Sequence, residues 1–228
     1  MKKLKNGVQS TFQNSLFISM RIDKSLSLLL LLSLFFVCMV VSRLLYAQTL
    51  HKVFLIWNLF LAWVPYLVLL PLTQKRHPAI KIILFTLWFI FLPNTLYTIT
   101  DLQHIGYSSN FILYWLDIFL LFGIAVLGTW LGLVGLEHAE KKLTVFYGRR
   151  VATTVRTIAI ILIGFGIYLG RFPRLNSWYI VTDPLSVWNI VVESIGRIFM
   201  SHYYFFFVCL FSLFYWILYT VYRKYKKL

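Results

Sequence analysis

Acidic residues are scarce in this sequence, and those near its apolar runs are where chemistry would be done. Tyr97 and Asp101 stand four apart, Thr100 and His104 four apart, and Asp101 and His104 three apart. On a helix all four side chains point broadly one way. Asp117 interrupts a later apolar run, and Arg171, Arg174, Asn176, Ser177 and Trp178 follow another. A carboxylate beside an imidazole can move a proton, with Asp101 or Asp117 as base and His104 as shuttle or ligand. Arg171 and Arg174 suit a phosphate or carboxylate, because the guanidinium fork engages such anions through parallel hydrogen bonds. Asn176, Trp178, Asn94 and Tyr97 complete a candidate substrate-binding set.

Three readings of this cluster compete. The first is a structural polar cap at a helix rim. The second is a site that acts on or binds a lipid headgroup. The third is a translocation pathway with Asp117 as a proton or ion site. An Asp117–Arg171 pair is expected, since it would ease the cost of both charges. Asp101, His104, His51, His202 and Asp117 offer ligands suited to zinc or manganese. No HExxH or comparable local motif supports them, and no metal site is assigned. Ser108, Ser109 and Ser177 lack a nucleophile elbow.

The elements that must position these residues are membrane helices. Hydrophobic residues make up 60% of the 228 and charged residues 13%, against roughly 25% charged in a soluble domain. Such a chain must turn much of its exterior to lipid. The formal charge of +15 sits in short clusters between apolar runs, which reads as topology signals rather than nucleic-acid binding. Cys38 and Cys209, the only two cysteines, each lie in mid-run and read as apolar fillers.

A spanning helix needs about 20 predominantly apolar residues. Six windows qualify, near Ser25–Ala47, His51–Leu72, Ile80–Thr100, Phe111–Gly135, Val151–Gly170 and Ile198–Tyr222. The first reads as an uncleaved anchor, because its run is long and Leu45-Tyr46-Ala47 is a poor cleavage site. Lys and Arg crowd the N-terminal segment, the second and fourth loops and the tail, whereas the first loop has only Lys52 and the third has none. That alternation predicts an all-α bundle of six spans with both termini cytoplasmic. Residues 1–24 form a basic cytoplasmic segment, 25–222 the membrane domain and 223–228 a basic tail.

Gly128 and Gly132, and Gly166 and Gly170, form small-xxx-small pairs, so spans four and five are expected to pack together. Pro65 and Pro93 interrupt spans two and three, and Asn94 is placed to satisfy a backbone group freed by Pro93. Asp183-Pro184 reads as an N-cap followed by Pro at the first helical position. Leu185, Trp188, Val191, Val192 and Ile195 then recur at helical spacing, predicting an amphipathic interfacial helix. Phe12, Leu16 and Phe17 suggest a weaker counterpart before the first span. Glu137, His138, Glu140, Lys141 and Lys142 read as a solvated helix end.

Two stretches carry a family resemblance. One runs Phe91-Leu92-Pro93-Asn94-Thr95-Leu96-Tyr97 on to Thr100-Asp101-Leu102-Gln103-His104. The other runs Gly166-Ile167-Tyr168-Leu169-Gly170-Arg171-Phe172-Pro173-Arg174-Leu175-Asn176-Ser177-Trp178. Together they resemble the bacterial membrane-protein family known as domain of unknown function thirteen sixty-one. The chain departs from that pattern at Thr95-Leu96, in place of an Ala-Pro-like pair, at Pro173, a usually apolar place, and at Tyr179, where an Asp is common. The last removes one candidate acid. The resemblance implies a multi-pass protein of a bacterial plasma membrane and adds no reaction.

The expectation is therefore an integral membrane protein with an outward-facing polar pocket formed mainly by spans three, four and five. It would act on or bind an anionic envelope lipid or lipid-linked substrate, with the bilayer as partner and no nucleic acid. A small proton- or ion-coupled transporter and a non-catalytic subunit of a membrane complex are the alternatives.

Overall fold

The structure, a computed structural model, describes residues 26–106, 110–175 and 179–226. The described chain is helical, with no strand. Among the described residues four helices are long and apolar enough to cross a membrane: α1 (Leu26–Ala47), the Pro78–His104 segment, α5 (Phe111–Arg171) and α8 (His202–Lys226). A shorter apolar helix, α2 (Phe54–Leu67), joins them. The N-terminal basic segment, with Phe12, Leu16 and Phe17, lies outside the described residues.

Proline sets two of the boundaries. In α2, Pro65 removes an amide donor close to the end of the helix. The chain then reaches Leu72 through turns, with Leu70 N donating to Leu67 O and Leu72 N to Leu69 O. The regular helix is thus shorter than the expected His51–Leu72 window. Pro93 divides the third apolar run into α3 (Pro78–Phe91) and α4 (Pro93–Thr100), followed by a 3-10 turn, Asp101–His104. Asn94 Nδ2 donates to Phe91 O at the break, and Thr95 Oγ1 donates to Leu92 O.

The 61-residue α5 would extend about 90 Å if straight, at 1.5 Å per residue. It is instead divided at Gly148, whose φ of 86° and ψ of 165° fall where glycine alone sits without strain. Residues 111–147 form the arm α5a and 149–171 the arm α5b. Arg156 and Glu140, on opposite sides of Gly148, pair at 2.7 Å, so the arms fold back on each other. Helix therefore continues through the stretch expected to be a loop. Its pattern explains this: Leu136, Ala139 and Leu143 are buried and recur at three to four residues, giving the polar run one apolar face.

The glycine faces do not join the two arms, as the sequence suggested. A Cβ on Gly128 would meet Thr98 Oγ1 at 2.5 Å and Thr95 O at 2.8 Å, and one on Gly132 would meet Thr95 Oγ1 at 2.4 Å. Across from them, a Cβ on Gly166 would meet Pro93 and one on Gly170 would meet Tyr97. Both faces receive α4, which is seated between the arms. The reason is steric: α4 brings Thr and Pro, compact side chains that follow a glycine groove closely.

Two apolar clusters share α5a. One gathers Leu29, Phe36 and Val40 of α1 with Leu55 and Leu59 of α2 around Leu120 and Ile124. The other gathers Trp88, Leu92 and Leu96 with Ile163, Ile167 and Tyr215 around Leu136. Beyond α5, a short α6 (Tyr179–Thr182) leads to α7 (Pro184–Met200). Asp183 caps α7 through Ser186 N, with Pro184 opening the helix. Ser186 also holds the Asp183 carboxyl below its usual range, by side-chain and backbone hydrogen bonds. Extended backbone at Ser201 ends α7, so the last long helix starts at His202 rather than near Ile198.

Candidate functional site

Polar side chains collect at two opposite ends. At the first, α1 finishes, α2 begins and the 3-10 turn lies between them. Here Arg43 Nε donates to Asp117 Oδ1 at 2.8 Å and Nη2 to Oδ2 at 3.1 Å. Arg43 Nη1 also donates to Thr49 Oγ1. Lys52 Nζ stands 3.7 Å from Asp117 Oδ2 and donates to His104 O at 2.8 Å. Asp117 is thus held by two cations, Arg43 and Lys52, and Arg171 is not its partner as expected. Both side chains of the Arg43–Asp117 pair are mostly shielded, at 8% and 13% exposure. A two-pronged pair so enclosed resists exchange with water, which suits a fixed joint between α1 and α5a.

Asp101 is arranged differently. It is 2% exposed, and its Oδ2 accepts from Asn58 Nδ2 of α2 at 2.7 Å. The charges of Arg171 and Lys52 act on it. Arg171 Nη1 reaches Tyr97 OH at 3.4 Å, a long bond. Asp101, Asn58, Tyr97 and Arg171 therefore form one group, built from α2, α4, the 3-10 turn and the end of α5b. Among the described residues neither Arg171 nor Arg174 has a carboxylate at ion-pair distance. Arg174 is exposed and has a φ of 57°, a left-handed conformation uncommon outside glycine, asparagine and aspartate.

Other expected site residues have other side-chain partners. The His104 ring packs against Phe54, with centroids 5.1 Å apart. Asn94 serves the backbone at the α3–α4 break. Asn176, Ser177 and Trp178 lie outside the described residues. Among the described residues no group of three His, Cys, Asp or Glu side chains gathers as a metal site.

The second end was read from sequence as a solvated helix terminus, and the structure corrects this. Glu140 accepts from Arg156 Nη1 at 2.7 Å, Arg223 Nη1 at 3.1 Å and Tyr219 OH at 2.6 Å. Glu137 pairs with Lys141 at 2.6 Å, accepts from Tyr222 OH at 2.6 Å and pairs with Lys226. Two carboxylates on adjoining turns of α5a thus hold the last two turns of α8. Lys142 Nζ donates to Leu72 O and closes the end of the second apolar stretch. A cavity of about 590 Å³ lies beside this network, between α5b and α8.

Sequence reasoning passed over Arg43, Lys52 and Asn58. Arg43 did carry a signal: a lone cation inside an apolar window is costly and implies a counter-ion. The Glu140 network carried a fainter one, in the spacing of Tyr219, Tyr222, Arg223 and Lys226 along one helical face.

No curated protein and no solved structure matches the chain. The model of the family described as Protein of unknown function (DUF1361) matches residues 57–218. That segment holds Asn58, Asp101 and Arg171 and most of the described helices, so the chain belongs to this family.

Proposed function

We propose that the chain is a six-span protein of a bacterial plasma membrane, with both termini cytoplasmic, whose outer end binds the anionic headgroup of an envelope lipid. Four helices with apolar composition support membrane insertion. Counting the arms of α5 separately and adding α2 gives six crossings. The arm 149–171 extends about 34 Å, close to the roughly 30 Å hydrocarbon core. The basic Gly148 end then faces the cytoplasm, in keeping with the distribution of Lys and Arg.

One observation carries the headgroup reading. Arg171 and Arg174 lack carboxylate partners among the described residues, whereas Arg43 at the same end is fully engaged by Asp117. A guanidinium with no carboxylate at ion-pair distance, beside a lipid surface, is suited to phosphate or carboxylate. Buried Asp101, fixed by Asn58, is the group in that cluster able to exchange a proton with a bound headgroup. Asp117 takes the architectural role.

Topology is tested by replacing Cys38 and Cys209 with serine and placing single cysteines at Lys75 and Arg174. A membrane-impermeant thiol reagent applied outside should label position 174 and spare position 75. The reverse pattern would overturn the orientation. For the site, Asp101→Asn should remove function while leaving folding and abundance intact.

A further inference from the structure

Helices α5b and α8 touch closely at one level and line a cavity beside it. At Gly164 an added Cβ would lie 2.2 Å from Val208 O. Gly164 N donates to Ser212 Oγ, and Ser212 Oγ donates to Ile161 O at 2.7 Å. From that level toward the Gly148 end a cavity of about 590 Å³, the wedge, lies between the two helices and is lined by both. Its volume is in the range of pockets that hold small molecules, roughly 300–1,000 Å³.

The lining divides into two chemistries. Arg156, Arg223 and Lys224 stand toward the Gly148 end, and Ile161, Leu213 and Trp216 form a wall. Ile161, Leu213 and Trp216 are 58%, 55% and 54% exposed, so the wall opens sideways, away from the bundle. Glu140 is the carboxylate that Arg156 and Arg223 share, and each gives it Nη1. Two guanidiniums thus share one carboxylate and Lys224 adds a third cation to the lining, so positive charge is left over. Each guanidinium keeps Nη2 and Nε for another acceptor.

We propose that this wedge binds an anionic phospholipid of the inner leaflet. Its phosphate is held by Arg156, Arg223 and Lys224, and an acyl chain lies along Ile161, Leu213 and Trp216. The inference rests on reading α5b and α8 as membrane spans and is independent of the outer headgroup site. Charge complementarity selects the phosphate, since basic pockets between spans on the cytoplasmic side suit anionic headgroups. The apolar wall selects a lipid over free phosphate.

The test uses the full chain reconstituted in nanodiscs of equal phosphatidylglycerol and phosphatidylcholine, followed by native mass spectrometry of the lipid retained. Wild type should retain phosphatidylglycerol in preference. Lys224→Glu and Arg223→Gln should each reduce that retention at least about five-fold, since one basic group near an anionic surface is worth about 1 kcal/mol. Leu213→Trp, which fills the wall from an exposed position, should displace the lipid without touching the ion pairs. Arg171→Gln, at the opposite end, should leave retention at this site unchanged, which separates this inference from the outer site. Equal retention of the two lipids, or unchanged retention in all three wedge variants, would overturn the proposal. So would protection from thermal unfolding by inorganic phosphate equal to that by phosphatidylglycerol, which would assign the cations to a free anion.

Discussion

Arg43 grips Asp117 through two parallel hydrogen bonds, at 2.8 and 3.1 Å, across 74 residues of chain. The pair ties α1 to α5a, and Lys52 adds a second cation. Removing one partner leaves a shielded charge uncompensated. Asp117→Asn or Arg43→Gln should therefore each cost about 3–5 kcal/mol of stability. The double change Arg43→Met with Asp117→Leu should recover only part of that loss, because it removes the Arg43 charge but leaves shielded Lys52 without its carboxylate. Unfolding in detergent micelles measures both. Single variants as stable as wild type would show that the pair is not a joint.

The seating of α4 between the arms makes a graded prediction. Gly128→Ala forces backbone or Thr98 to move and should cost about 1–3 kcal/mol. A Cβ at Gly135 would stand 4.0 Å from its nearest neighbour, Tyr66 N. Gly135→Ala should thus stabilise the helix by about 0.5–1 kcal/mol. Gly148→Ala places a side chain in glycine-only backbone space and should cost about 1–3 kcal/mol. The same unfolding assay ranks them, and equal effects at Gly128 and Gly135 would contradict the packing described.

Glu140 anchors α8 through Arg223 and Tyr219 and joins α5b through Arg156. Neutralising it should weaken charge-assisted hydrogen bonds worth about 1.5–3 kcal/mol. Glu140→Gln should speed hydrogen exchange across the last two turns of α8 while leaving α2 and α4 protected. Unchanged exchange there would remove the carboxylate from its anchoring role.

Asp183 gives a pH dependence. Its carboxyl is held below the usual range by Ser186, so its capping contribution is complete above the carboxylate's unfolded value. That contribution fades as the pH falls through the lowered folded value. Trp188 fluorescence should report fraying of α7 on acidification, and Asp183→Ala should fray at all pH values. A pH-independent difference between the two proteins would contradict the assignment.

The helical class and the family were legible because lipid exposure and two long motifs leave few alternatives. The cap at Asp183-Pro184 was legible because its chemistry is local. Partner choice was not. Asp117 had Arg171 as a plausible mate, and only the return of α1 beside α5a brings Arg43 closer. The glycine stripes announced close packing without saying against what, since α4 and the opposite arm are both compact. Glu137 and Glu140 looked solvated because their partners on α8 lie more than 70 residues away.

The most direct test is mass spectrometry of envelope lipids in a strain lacking this chain, complemented with wild type, Asp101→Asn or Arg171→Ala. Each protein must be verified in the membrane. Deletion should shift a phosphate- or carboxylate-bearing lipid or glycolipid, wild type should restore it, and neither variant should. An unshifted profile, or restoration by both variants, would contradict the headgroup account and leave the Asp101–Arg171 cluster as architecture.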